Sequence, residues 1–288
     1  MSEPARHAGG GASPDDADLD RRLRFACDVA GEAGRRLLAL RASSRWSDET
    51  VLGDVADQMA DAFLQGCLLG RWPDDGVLSE ETKDDGARRT KRWCWVVDPL
   101  DGTKEYRAGR HDWAVHVGLA CDGAPVLGAV AMPALGRVVG GVCVPGRERI
   151  VQLGSAAALA DDVDGARPLR LAMSRSHTPP WMEGFARALV GSGASFELVP
   201  SGSVGFKVGL LLFGDADVYV HDKGLKEWDT LAPEAVARAA GWGVCRLDGS
   251  EQRYNQVDPR NDELVVCRPR IRERVLAAVA AHGPRATR

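Results

Sequence analysis

The run Trp95-Val96-Val97-Asp98-Pro99-Leu100-Asp101-Gly102-Thr103 carries an apolar strand straight into two aspartates three residues apart. Pro99 and Gly102 are turn formers, so both carboxylates and the intervening Leu100 carbonyl can be aimed at one point. Strand ends in α/β proteins are where ligands bind. The same residues also make ordinary solvated turns. This one closes a run holding Trp93, Trp95 and two valines, which places its aspartates at the edge of a core. Two carboxylates about 4 Å apart repel by roughly 4 kcal/mol at an effective dielectric of 20. The pair therefore needs a shared proton or a cation. Oxygen donors with no His or Cys beside them favour Mg²⁺, or Mn²⁺, over zinc.

Two further acidic segments have the same character. Val77-Leu78-Ser79-Glu80-Glu81 is a short apolar strand ending in paired carboxylates, and Trp228-Asp229-Thr230-Leu231-Ala232-Pro233 opens a helix, where Asp229 can serve as N-cap. Taken singly, a solvated strand end and a helix cap explain them. A phosphate-facing element is Pro200-Ser201-Gly202-Ser203-Val204, just before the helix carrying Lys207. Ser203 can cap that helix, and Gly202 permits close backbone approach. Lys104, Arg110, Arg175 and Lys207 are candidates for a second phosphate, though each alone reads as a surface charge.

These residues need elements to hold them. Apolar residues at 23, 26, 30, 33, 37 and 40 predict an amphipathic helix from Leu23 to about Leu40, and Val55, Met59, Phe63 and Cys67 predict a second over Asp54–Leu69. Short Val- and Trp-rich runs then predict strands at Gly76–Ser79, Trp93–Val97, Trp113–Cys121, Pro125–Met132, Arg137–Cys143 and Arg149–Leu153. Beyond a boundary at Ala156–Pro168, strands at 169–173, 197–199, 217–220, 243–247 and 263–267 alternate with helices at 181–190, 204–213, 229–240 and 271–281. The pattern is that of a layered α/β protein: an α+β half over residues 20–160, then an α/β half over 161–288.

Composition narrows the class. Of 288 residues, 44% are hydrophobic and 27% charged, with a net charge of -4, which fits a soluble globular chain and gives no surface for nucleic acid or membrane. The seven cysteines are scattered singly, as expected of reduced thiols in a cytoplasmic protein. Residues 1–19 read as a disordered leader.

Together, Asp-Pro-Leu-Asp-Gly-Thr at 98–103, Ser-Glu-Glu at 79–81 and Trp-Asp-Thr-Leu-Ala-Pro at 228–233, in this order, resemble the inositol monophosphatase superfamily. The Lys104-Glu105-Tyr106 continuation and Ser174-Arg175-Ser176-His177 resemble its CysQ-type branch, phosphatases of 3′-phosphoadenosine 5′-phosphate. The resemblance implies a five-layered αβαβα sandwich and two or three Mg²⁺ ions held by Glu80, Asp98, the Leu100 carbonyl, Asp101 and Asp229. It implies that Asp57, 23 residues before Glu80, orients the attacking water with Thr103; Asp54 and Asp61 are alternatives on the same helix. Substrate contacts would come from Glu80, Asp101, Gly102, Thr103, Lys104, Ser174, Gly202, Ser203, Lys207 and Asp229. The implied substrate is a small phosphorylated nucleotide, with inositol and sugar phosphates as rivals on the same scaffold. For the nucleotide the implied role is clearance of a by-product of sulfate assimilation. Leu247-Asp248-Gly249-Ser250 and Tyr254-Asn255 would lie near the base, and a homodimer is a family-level expectation. An aspartyl-phosphate mechanism of the haloacid-dehalogenase type needs Asp-x-Asp, and here two residues separate Asp98 from Asp101. A non-catalytic metal- or nucleotide-binding protein on the same scaffold is the remaining rival.

Overall fold

The computed structural model describes residues 15–43, 48–155, 157–160, 167–176, 178–191 and 195–283. Helix α1 (Asp16–Ala42) is capped by the Asp15 carboxylate, and α2 (Glu49–Arg71) by Asp48, which accepts from the Thr50 and Val51 amides. The expected leader therefore needs correcting, because the helix begins inside it. Leu19 is fully buried in the first core, and Asp18 pairs with Arg22 one turn on, so the amphipathic stripe extends a turn and more before Leu23. Residues 1–14 of that leader lie outside the described residues.

Six strands follow: β1 (Gly76–Ser79), β2 (Trp93–Asp101), β3 (Ala114–Cys121), β4 (Ala124–Met132), β5 (Arg137–Val142) and β6 (Arg149–Gly154). They form one sheet in sequence order, with β1 parallel to β2 and every other neighbour antiparallel. A five-residue helix, α3 (Thr103–Arg107), sits between β2 and β3. The β3–β4 hairpin turns on Asp122 and Gly123, both at positive φ, as a two-residue type I′ turn requires. The second half supplies β7 (Leu169–Ser174), α4 (Met182–Val190), β8 (Phe196–Ser201), α5 (Val204–Leu212), β9 (Val218–His221), α6 (Glu227–Ala239), β10 (Gly243–Cys245), β11 (Leu264–Cys267) and α7 (Arg272–His282). Its sheet has the order β10-β11-β9-β7-β8.

Three cores define the layers. Helices α1 and α2 pack on one face of the first sheet; α5 and α6 fill the space between the two sheets; α4 and α7 cover the far face of the second. The result is the αβαβα sandwich. Helix α6 touches both sheets, and its seat explains how its first turn reaches β2. Gly118, Gly128 and Gly141 lie side by side across β3, β4 and β5. A Cβ on Gly128 would come within 2.7 Å of the Ala232 backbone, and one on Gly141 within 2.5 Å of the Ala239 side chain. The helix thus rests almost directly on sheet backbone, which fixes its height above the strands. All seven cysteines are free and six are buried. Among the described residues no helix is long and apolar enough to cross a membrane.

Candidate active site

Strand β2 does not stop at Val97. It continues through Asp101 with a register irregularity between Asp98 and Asp101 opposite β3, and Gly102 then takes a φ of 93°, a backbone state open to glycine. The irregularity turns both aspartates to one side, as β-bulges near sites do. Parallel pairing sets Ser79 against Val97, and the Glu80 amide still donates to the Val97 carbonyl at 3.3 Å. Glu80 thereby arrives beside Asp98. Asp229 comes from α6, where it is the third helical residue and not the N-cap. The helix begins two residues earlier, at Glu227, because the Asp229 carboxylate accepts the Lys226 amide at 2.6 Å and closes the first turn.

Asp98, Asp101 and Asp229 each place a carboxylate oxygen within 4.8 Å of the others. Asp98 is 1% exposed and accepts the Leu100 amide at 3.0 Å. Burial, with Glu80, Asp101 and Asp229 beside it, holds its carboxyl well above the ordinary carboxylate range. Burial and Asp101 push Asp229 up to about 7. Glu80 stands at the open rim in contact with Asp98; crowding by surrounding atoms, then Glu81 and Asp101, push it up to about 7. Asp57, on α2, is pushed up to about 8 by burial and then by Glu81 and Glu80. Asp101 alone goes the other way. Burial works against its charge, but His116, Ser203 and Lys207 outweigh it and bring it down to about 2.

The Asp98, Asp101 and Asp229 carboxylates could hold a metal ion. Glu80, Asp98 and Asp229, whose carboxyls resist ionisation, lie beside the readily ionised Asp101, and divalent ions there would relieve them. The donor set consists of carboxylates and a backbone carbonyl, which fits a hard cation. Asp57 is also separated from its two neighbours. Asp61 is engaged by Ser79 Oγ (2.5 Å), Thr82 Oγ1 (2.8 Å) and Gln65 Nε2 (2.7 Å). Asp54 is exposed and paired with Arg107 at 2.6 Å. Only Asp57 combines burial with the two glutamates. The Thr103 hydroxyl donates to the Leu100 carbonyl at 3.1 Å.

Other expected residues fall into place unevenly. Ser203 does two jobs: its Oγ accepts the Phe206 amide as the α5 cap, and donates to Asp101 Oδ2. Gly202 is required sterically, since a Cβ there would run into the Glu105 side chain, but its amide is spent on Asp112 at 2.8 Å. Lys207 is buried, donates to the Gly202 carbonyl at 2.6 Å and lies 5.2 Å over the Tyr219 ring. Lys104 is on the exposed side of α3. Ser174 is away from the carboxylates, at the end of β7, lining a cavity of about 550 Å³ with Met173, Met182, Val220 and His221. Arg175 is held by Asp112 at 2.5 Å. His177 lies outside the described residues. Tyr254 and Asn255 are not near that cavity: Tyr254 is a core residue donating to Glu234, and Asn255 binds Arg88 and Glu227, locking a loop behind α6. Asp112 and His116 were not singled out from sequence.

Residues 18–283 match the inositol monophosphatase family. The chain is 38% identical over 275 residues to the 3′-phosphoadenosine 5′-phosphate phosphatase of Mycobacterium bovis, covering 93% of this chain and 97% of that protein. It is 29% identical over 246 residues to the 3′(2′),5′-bisphosphate nucleotidase CysQ of Escherichia coli, covering 81% and 93%. The crystal structure of CysQ from Bacteroides thetaiotaomicron superposes with a TM-score of 0.75 at 30% identity, covering 88% of this chain and 99% of that one. With the carboxylate site and the layered fold in agreement, the chain is a phosphatase and belongs to the inositol monophosphatase family.

Proposed function

We propose that the chain hydrolyses the 3′-phosphate ester of 3′-phosphoadenosine 5′-phosphate, giving AMP and phosphate, with Mg²⁺ held by Glu80, Asp98, the Leu100 carbonyl, Asp101 and Asp229. The observation that carries this reading is the convergence of Asp98, Asp101 and Asp229 within 4.8 Å. The choice of nucleotide is supported by the near full-length similarity to a phosphatase of that name. Bound at these carboxylates, divalent ions would supply an acidified water and counter-charge for the leaving oxygen.

The chain's own groups position and shuttle. Asp57, buried on α2 beside Glu80 and Glu81, would accept a proton from the attacking water. Thr103, at the start of α3 against α2, orients that water through its hydroxyl. The amides at the start of α3 have no helical carbonyl to bind and suit phosphate oxygens. Tyr219 links this corner to the cavity at the ends of β7 and β9: its ring lies under Lys207 and its hydroxyl meets His221 Nδ1 at 3.0 Å. A volume of about 550 Å³ with a Met and Val floor suits a nucleoside.

The test is phosphate release with and without Mg²⁺ from 3′-phosphoadenosine 5′-phosphate, inositol 1-phosphate and fructose 1,6-bisphosphate. A kcat/KM for the nucleotide more than about tenfold above the others, roughly 1.4 kcal/mol of transition-state preference, is expected. Equal or reversed rates would move the substrate to the sugar or inositol branch, and release without added metal would overturn the mechanism.

A further inference from the structure

His116 lies on β3, a strand buried at every residue, directly across from Asp98 in the sheet. An imidazole is costly in such a place unless both nitrogens find partners. Both do. Nδ1 is 3.1 Å from the Trp228 carbonyl, and Nε2 is 3.1 Å from Asp101 Oδ2, closer to an ion-pair contact than to an aligned hydrogen bond. A carbonyl and a carboxylate only accept, so the ring faces an acceptor on each side. The two partners belong to the two halves of the carboxylate cluster. Asp101 ends β2, and Trp228 immediately precedes Asp229 on α6.

A second observation converges on the same atom. Gly205 donates its amide to Asp101 Oδ2 at 3.0 Å, and a Cβ at this glycine would collide with His116 Nε2 and come within 2.8 Å of Cδ2. Position 205 is therefore shaped around the imidazole. Ser203 Oγ and the Gly205 amide, both from the start of α5, and His116 Nε2, from β3, all engage Oδ2. Oδ1 is left as the oxygen for an ion.

We infer that His116 is a positioning residue that braces Asp101 against the first turn of α6, fixing the spacing between the Asp101 and Asp229 carboxylates before any metal binds. This inference rests on the metal-site reading above. Groups behind metal-binding side chains orient them, and their loss typically weakens metal binding by roughly 10–100-fold.

The test is equilibrium Mn²⁺ binding to the substrate-free full chain, followed by electron paramagnetic resonance, alongside the Mg²⁺ activation constant for nucleotide hydrolysis. His116→Leu is expected to weaken Mn²⁺ binding about 10–100-fold, with the nucleotide KM at saturating Mg²⁺ changed less than about threefold. His116→Gln keeps one N–H donor and recovers part of the loss. Gly205→Ala, with the histidine intact, displaces the ring and weakens binding at least about tenfold. Tyr254→Phe, which removes a different buried hydrogen bond beside α6, leaves Mn²⁺ binding unchanged. Binding within about twofold of wild type in both His116→Leu and Gly205→Ala would overturn the brace, as would an equal loss in Tyr254→Phe. If Asp98→Asn bound Mn²⁺ as well as wild type, the metal-site reading itself would fall, and the brace with it.

Discussion

The ends of β1 and β2 and the ends of β7 and β9 are both polar openings in one molecule, yet they are built on opposite principles. At the first, carboxyls crowd together with few donors: Glu80 and Asp229 are pushed up to about 7, Asp57 to about 8, and Asp98 well above the ordinary carboxylate range. At the second, the polar groups satisfy one another. His221 Nε2 lies 2.8 Å from the Lys223 carbonyl and its Nδ1 3.0 Å from the Tyr219 hydroxyl. The Trp181 indole donates to Asp222 at 3.0 Å, and Ser174 and Ser176 share a contact at 3.3 Å. On the proposed reading, cations complete the first region. The second is complete and offers shape. On the proposed reading, chemistry belongs to the first corner and selectivity to the second.

The largest expected effect breaks the first corner. Asp98→Asn lowers kcat/KM by more than about a thousandfold, beyond the 10–100-fold typical of an outer-shell partner, while the metal-free protein melts at the same or a higher temperature because a repelled charge is gone. Near-native activity in that variant would contradict the site. Thr103→Ala comes next, lowering kcat by about 10²–10⁴-fold, the usual size of a general acid–base contribution. A loss below about tenfold would remove Thr103 from water activation. His221→Ala sharpens the other side of the contrast: nucleotide kcat/KM falls about tenfold, roughly 1.4 kcal/mol, with hydrolysis of a small aryl phosphate unchanged. Equal losses on both substrates would show that the two regions are not separable.

The smallest effect is one of stability. Asp57, Glu80 and Asp229 have folded-state pKa values of about 8, 7 and 7, above their ordinary values. The folded state then binds more protons than the unfolded chain between about pH 4 and pH 8, so stability falls as pH rises through that window. Metal-free protein is expected to melt progressively lower from pH 5 to pH 8, and saturating Mg²⁺ to reverse the trend. A melting temperature that rises with pH without Mg²⁺ would contradict the clustering.

What the sequence made legible follows from local chemistry. The Asp98–Thr103 run, the glutamates after β1 and the helix opened near Asp229 are each punctuated by turn or cap residues, as are strands such as β4 and β5. His116 was hidden because β3 is buried on both faces, so alternation carried no signal that one of its residues faced a carboxylate. Asp54, Asp57 and Asp61 share one face of α2; only contacts distant in sequence, Arg107 to Asp54 and Ser79 and Thr82 to Asp61, tell them apart. Asp112 reads as a loop aspartate, yet it holds Arg175 and the Gly202 amide from the other half of the chain. Tyr254 looked like a ligand contact and is a core residue, since its hydroxyl finds Glu234 and not solvent.

The most direct measurement is an anomalous difference map from crystals grown with Mn²⁺. Strong peaks within about 2.5 Å of carboxylate oxygens of Asp98, Asp101 and Asp229, with further ligands from Glu80 and the Leu100 carbonyl, are expected. Saturating Mn²⁺ with no peak among these carboxylates, in crystals of a chain that still releases phosphate, would contradict the carboxylate cluster as the seat of the chemistry.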